Sequence, residues 1–139
     1  MKKLLGIIGL VLLLVACGTT GRQSASRRGL VSEDKDTLSY EQRRKYDYFF
    51  LEAVRMKQKG EYDAAFELYK HCLDIYPNSA PALYEISRFY MVLGLEKKGE
   101  EALKKAVRSD ESNFWYKQTL AAYYQQKRDW PKAIAVYDD

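Results

Sequence analysis

An internal repeat constrains the fold of this 139-residue chain more than any other feature. Residues of similar size and character recur when the sequence is shifted by 34 positions, and Tyr46, Ala80 and Phe114 then coincide as the starts of three segments. A period of this length is typical of repeat architectures, in which each copy is one supersecondary unit. We therefore predict copies over residues 46–79, 80–113 and 114–139, with the last one incomplete.

Small residues recur at fixed places in the copies, and we predict that they set the distance between packed helices. Small side chains let helix axes approach closely, whereas a larger residue at the same place would overpack the contact. These positions are Ala53, Ser87 and Ala121, then Ala65, Gly99 and Ala133, and finally Cys72 and Ala106. We expect Tyr69, Leu103 and Tyr137 to fill the space between neighbouring units.

Each copy has the signals of two helices joined by a tight turn. Ser39 and Gln42 have capping-box spacing, which predicts a helix that starts at this point and ends at Gly60. A second helix is predicted over residues 64–76, because Pro77 disfavours helical geometry in the residue before it.

The combination of this period with recurring glycine, alanine, aromatic and proline positions over residues 46–139 resembles the tetratricopeptide repeat. The resemblance implies an all-α fold, an α-solenoid of antiparallel helix hairpins in a right-handed superhelix, with about two and a half to three repeats. The departures from the family pattern are Glu52, Lys117, Glu111 and Arg128. Arg128 stands where the other copies have a turn glycine, so it is expected in a left-handed conformation at some strain.

The third copy reaches Asp139 within the helix that Asp129 would cap and Pro131 would open. A solenoid normally ends in a repeat with a polar outer face. We therefore expect either that the chain is part of a longer array or that its C-terminal edge self-associates.

Residues 1–16 have the pattern of an export signal. Lys2 and Lys3 precede an apolar run that is shorter than the roughly 20 residues needed to span a bilayer. The residues before Cys17 and Gly18 resemble the lipobox of bacterial lipoproteins, which implies that Cys17 is lipidated; the alternative is a plain signal peptide in which this cysteine is incidental. Residues 17–37 would then form the lipidated N-terminus and a flexible linker before the repeat domain of residues 38–139. By resemblance to lipoprotein sorting rules, Gly18 favours the periplasmic face of the outer membrane.

Charge and composition argue against nucleic-acid binding and catalysis. Of 23 basic residues two are Lys2 and Lys3, and the other 21 nearly balance 19 acidic ones. The single histidine, His71, adjoins Cys72, but adjacent helical residues point about 100° apart and cannot form a catalytic pair. Glu100 and Glu101 each precede a lysine by four residues and are read as ordinary helix pairs. No cofactor or metal is expected.

The tetratricopeptide resemblance implies that the first helix of each copy lines a concave groove. The groove positions are Phe50, Val54, Lys57, Tyr84, Arg88, Met91, Val92, Trp115, Gln118, Ala122 and Gln125. Aromatic residues and arginine often anchor interfaces, so Tyr84, Arg88 and Trp115 are the expected principal contacts. Phe50, Val92 and Ala122 are expected instead to pack between adjacent helices.

Two functions agree with this pattern. The preferred one is a non-catalytic, lipid-anchored scaffold of the bacterial envelope that binds a protein or peptide partner, such as another envelope protein. The alternative is an accessory repeat region of a longer protein whose catalytic or glycan-binding part lies beyond residue 139.

Overall fold

The computed structural model describes residues 38–138, which form six α-helices. The helices are α1 (Tyr40–Lys59), α2 (Tyr62–Ile75), α3 (Ala80–Val92), α4 (Glu96–Ser109), α5 (Phe114–Gln126) and α6 (Trp130–Ala135). The predicted signal segment, the linker and Cys17 lie outside the described residues.

The capping box predicted at the start of α1 is confirmed. The Ser39 hydroxyl accepts a 3.2 Å hydrogen bond from the Gln42 backbone N–H, and the Ser39 N–H donates to Gln42 Oε1 at 3.0 Å. Helix α2 begins at Tyr62, two residues before the predicted start, because the chain re-enters helical geometry directly after the turn at Gly60. It ends at Ile75, before the proline, as the sequence predicts.

The turn inside each hairpin has the same geometry in all three copies. Gly60, Gly94 and Arg128 have positive φ angles of 82°, 71° and 59°. The next residue then donates a backbone hydrogen bond to a carbonyl five positions back. These bonds join Glu61 to Met56 at 3.0 Å, Leu95 to Tyr90 at 2.8 Å and Asp129 to Tyr124 at 2.9 Å. The left-handed conformation expected for Arg128 is therefore confirmed.

The hairpins α1–α2, α3–α4 and α5–α6 stack in order, with α3 packed on α2 and α5 packed on α4. Successive first helices also touch: the Tyr46 hydroxyl on α1 lies 2.5 Å from Oγ of Ser79, the residue that caps α3. Between α3 and α5, the rings of Tyr84 and Tyr116 lie 5.0 Å apart. The predicted all-α stack of antiparallel hairpins is confirmed.

The small residues of the repeat pattern all lie inside this stack. The buried set is Ala53, Ala65, Cys72, Ser87, Gly99, Ala106, Ala121 and Ala133. At Gly99 an added Cβ would lie 2.9 Å from the Met91 sulfur, so the Met91 side chain would have to move to make room for it. The space between helices is therefore limited at these positions by the size of the side chain.

The third copy departs from one packing expectation. Tyr69 and Leu103 are 0% and 1% exposed, but Tyr137 is 48% exposed, so its predicted role as a filler between units is wrong. The physical reason is that α6 ends at Ala135 and no helix of the described residues covers its outer side. The Tyr137 ring instead lies 6.5 Å from that of Phe114.

Candidate functional site

A first cleft, called cleft one below, opens where α3 meets the hairpin of α1 and α2. It has a volume of about 360 Å³. Its lining residues are Lys57, Tyr62, Asp63, Phe66, Glu85, Arg88, Phe89, Val92 and Leu93. The walls are mostly aromatic and aliphatic, with four charged groups among them.

A second cleft, cleft two, opens where α5 meets the hairpin of α3 and α4, and it has a volume of about 470 Å³. Its lining residues are Ser87, Arg88, Met91, Glu96, Leu103, Thr119, Ala122, Tyr123, Gln126 and Lys127. Arg88 lines both clefts and therefore stands at the boundary between them.

The two clefts are the same structural position in successive repeats. At a shift of 34 positions, seven of the nine residues that line cleft one coincide with residues that line cleft two. The corresponding pairs are Lys57 and Met91, Tyr62 and Glu96, Glu85 and Thr119, Arg88 and Ala122, Phe89 and Tyr123, Val92 and Gln126, and Leu93 and Lys127. Tyr62, Val92 and Leu93 contribute apolar surface to cleft one. The corresponding residues of cleft two are polar: Glu96, Gln126 and Lys127.

Of the two basic residues in cleft one, Lys57 pairs closely with a carboxylate and Arg88 does not. Lys57 Nζ lies 2.7 Å from Glu85 Oε2, and both side chains are largely shielded from solvent. The Arg88 guanidinium approaches the same carboxylate oxygen only to 3.9 Å and is 59% exposed. The Arg88 guanidinium also lies 6.0 Å from the centre of the Tyr84 ring. Since Lys57 neutralises Glu85, Arg88 remains the cation with hydrogen-bond donors free for a ligand.

Two of the three charged residues of cleft two pair with each other, and Arg88 is the third. Lys127 Nζ lies 2.5 Å from Glu96 Oε2. Behind this pair, the Tyr124 hydroxyl donates to Glu100 Oε1 at 2.8 Å. The reading of Glu100 as half of an ordinary pair with Lys104 is thus wrong, because its carboxylate points across to the next hairpin.

Some of the groove residues predicted from the sequence lie in these clefts. Lys57 lines cleft one, Met91 lines cleft two and Arg88 lines both. Val92 and Ala122 also line the clefts and are exposed, Val92 by 87%, so the expectation that they pack between helices is wrong. These two side chains lie on the open side of their helices.

Other predicted groove residues lie elsewhere. Phe50 and Val54 are half-buried against the core that the first two hairpins share, and Tyr84 packs against the core formed around Leu103 and Tyr124. Three exposed side chains of α5 line neither cleft: Trp115, Gln118 and Gln125. Trp115 is 69% exposed, and its ring lies 6.0 Å from that of Phe114.

The sequence reasoning missed the contribution of the second helices and of the turns. Tyr62, Asp63 and Phe66 come from the start of α2, and Leu93 comes from the turn after α3. The repeat pattern does not single them out, since the 34-residue shift pairs Tyr62 with Glu96 and Leu93 with Lys127, which are chemically unlike. The resemblance assigns only first-helix positions to the groove.

The nucleophile candidates do not form a catalytic site. Cys72 is fully buried, and burial raises the pKa of its thiol to about 12. His71 is exposed and lies 3.5 Å from the Asp74 carboxylate. Across residues 38–138 no group of three or more His, Cys, Asp and Glu side chains is placed to hold a metal ion. No helix in the same part of the chain is long and apolar enough to cross a membrane.

The buried hydroxyl of Tyr69 lies in the core that the first two hairpins share. The Tyr69 hydroxyl has no hydrogen-bond partner among the described residues, and its ring lies 5.6 Å from that of Phe50 and 6.0 Å from that of Phe89. Burial, followed by the nearby Glu85 carboxylate, raises the pKa of this hydroxyl. Tyr69 therefore remains neutral and contributes to packing.

The stacked hairpins define a helical-repeat protein. Residues 57–123 match the family model of the tetratricopeptide repeat, which includes all of cleft one and most of cleft two. Tetratricopeptide repeats are generally protein-interaction modules and are typically non-catalytic. No curated protein matched the chain.

Proposed function

We propose that this protein is a non-catalytic scaffold that binds a protein or peptide partner along clefts one and two. The observation that carries the proposal is the recurrence of an open cleft at the same place in two successive repeats. A ligand that follows the stack meets both clefts in turn, with Arg88 between them.

Exposed apolar surface in cleft one supports this function. Tyr62, Val92 and Leu93 are 60%, 87% and 59% exposed, and charged side chains surround them. Apolar surface with a polar rim is characteristic of interaction sites. Covering these three side chains would remove their apolar surface from water, which favours association.

We propose further that a lipid on Cys17 attaches the scaffold to the periplasmic face of the outer membrane. The support is the export-signal and lipobox pattern of residues 1–17. A single acyl chain binds membranes only marginally, whereas two or three chains give a durable anchor. The partner would then be another protein of the bacterial envelope.

The binding function is tested by affinity capture from native envelopes with the full chain. The double variant Tyr62→Ser/Val92→Ser is expected to lose the proteins captured by the wild type, because it removes apolar contacts from cleft one. Tyr40→Ser is the matched control, since Tyr40 is 79% exposed on α1 and lines neither cleft. Equal capture by the double variant, with unchanged helical circular dichroism, would contradict the proposal.

The anchor is tested separately with labelled palmitate in a bacterial host. The wild type should incorporate the label and sediment with outer membranes, whereas Cys17→Ser should do neither. Label in the Cys17→Ser variant, or a soluble wild type, would contradict the proposed anchor.

A further inference from the structure

We infer that the partner presents a large apolar side chain beside an acidic one, so that the first enters cleft one and the second pairs with Arg88. This inference rests on the proposed function and specifies the chemistry of its ligand. The occupant is an extended segment of a separate protein that carries these two side chains next to each other.

The apolar requirement follows from the walls of cleft one. Phe66 and Phe89 are in contact, with ring centres 5.6 Å apart, and the exposed side chains of Val92 and Leu93 add to this apolar lining. A cleft of about 360 Å³ accommodates one large aliphatic or aromatic side chain. A polar side chain packed against these four apolar residues would lose its hydration without gaining a hydrogen-bond partner from them.

The acidic requirement follows from the pairing of charges. Four charged residues line cleft one, and two of them, Lys57 and Glu85, already bind each other at 2.7 Å. The separation of 3.9 Å between Arg88 and Glu85 is too long for a hydrogen bond, so the guanidinium keeps its donors for a ligand carboxylate. Asp63, on the α2 wall, would repel an acid placed beside it, which favours a position for the acid on the α3 side.

Cleft two supports the same assignment. Its Lys127 and Glu96 side chains neutralise each other, so Arg88 is again the cation without a close partner. A carboxylate bound to Arg88 would therefore lie at the boundary between the clefts. The residue that corresponds to Arg88 in the next repeat is Ala122, which cannot provide a second site of this kind.

The test is selection from a random-peptide phage library on the full chain, purified in detergent, with Arg88→Glu and Lys104→Glu as parallel targets. Lys104 is exposed on α4 and lines neither cleft, so its variant is a control with the same change of charge. Wild type and control should enrich peptides in which a large apolar residue adjoins Asp or Glu. Peptides selected on Arg88→Glu should still carry the large apolar residue, but with Lys or Arg in place of the acid.

A selected peptide then provides a quantitative check. Changing its acid to the amide should weaken binding to the wild type about tenfold, and should have little effect on binding to Arg88→Ala. An acidic preference that persists in Arg88→Glu, or a wild-type preference for apolar residues without an acid, would overturn this inference and leave the proposed function standing. If no peptide is enriched, or if enriched peptides bind Tyr62→Ser/Val92→Ser as tightly as the wild type, the proposed function itself fails.

Discussion

The Tyr124 hydroxyl on α5 donates a hydrogen bond of 2.8 Å to Glu100 on α4, and this bond joins two consecutive hairpins. One repeat earlier the corresponding residues are Phe66 and Tyr90, whose rings contact edge to face at 5.7 Å. The first interface between hairpins is thus aromatic at this place, and the second is hydrogen-bonded.

Loss of the Tyr124 hydroxyl should weaken the second interface. We expect Tyr124→Phe to lower the free energy of unfolding by about 1–2 kcal/mol, because a partly buried carboxylate oxygen loses its donor. Urea denaturation measures the change. Tyr90→Phe is the control and should change stability by less than about 0.5 kcal/mol, since the Tyr90 hydroxyl makes no hydrogen bond among the described residues. Equal losses in the two variants would show that the Glu100 bond contributes nothing.

Enlarging a small residue at a helix contact should destabilise the stack. Ala121 is 1% exposed, and Ala121→Leu is expected to cost about 1–3 kcal/mol by overpacking. The neighbouring Ala122 is exposed, so Ala122→Leu should remain within about 0.5 kcal/mol of the wild type. Thermal or chemical denaturation distinguishes the two variants, and similar stabilities would contradict the close helix packing described here.

The third turn should gain stability from glycine. Arg128 has φ of 59°, a conformation that costs a side chain free energy and glycine almost none. We expect Arg128→Gly to raise the free energy of unfolding by about 0.5–1 kcal/mol. Gln126→Gly, at the last residue of α5, should instead lower it by a similar amount. A loss of stability in Arg128→Gly would mean that the arginine side chain makes a contribution that outweighs the strain.

Cys72 should make stability depend on alkaline pH. Burial raises the pKa of its thiol from an ordinary value of 9.0 to about 12, so the unfolded chain releases this proton at lower pH than the folded chain. The stabilising contribution is therefore complete below about pH 9 and declines as pH rises toward 12. Between about pH 8 and 10, the wild type should lose about 1 kcal/mol more than Cys72→Ala, a variant that has the residue of the second copy at this place. Parallel pH profiles for the two proteins would contradict the burial of a neutral thiol.

The repeat period predicted most of the fold because it reports packing constraints that recur. Gly60, Gly94 and Arg128 occupy equivalent turns, and the sequence shift alone identified them. Tyr137 was misplaced because the shift assumes that every unit has the same neighbours, whereas α6 has no covering helix among the described residues.

The site was harder to predict than the fold because helix position does not fix the pairing of side chains. Lys57 and Arg88 were both assigned to the groove, but only the structure shows that Glu85 neutralises Lys57. Trp115 was expected to be a principal contact because of its residue type, although it lies outside both clefts. The clefts also depend on how α2 and α4 meet the first helices, which a periodic pattern does not specify.

Site-specific photocrosslinking in the native envelope tests the central claim, that partners bind along the clefts of the stacked hairpins. A benzophenone side chain is placed at Val92, at Ala122 or at Lys104, all three of which are exposed. We predict that Val92 in cleft one and Ala122 in cleft two crosslink to the same protein, and that Lys104, which lines neither cleft, does not. A partner that crosslinks at Lys104 but at neither cleft position would contradict the account.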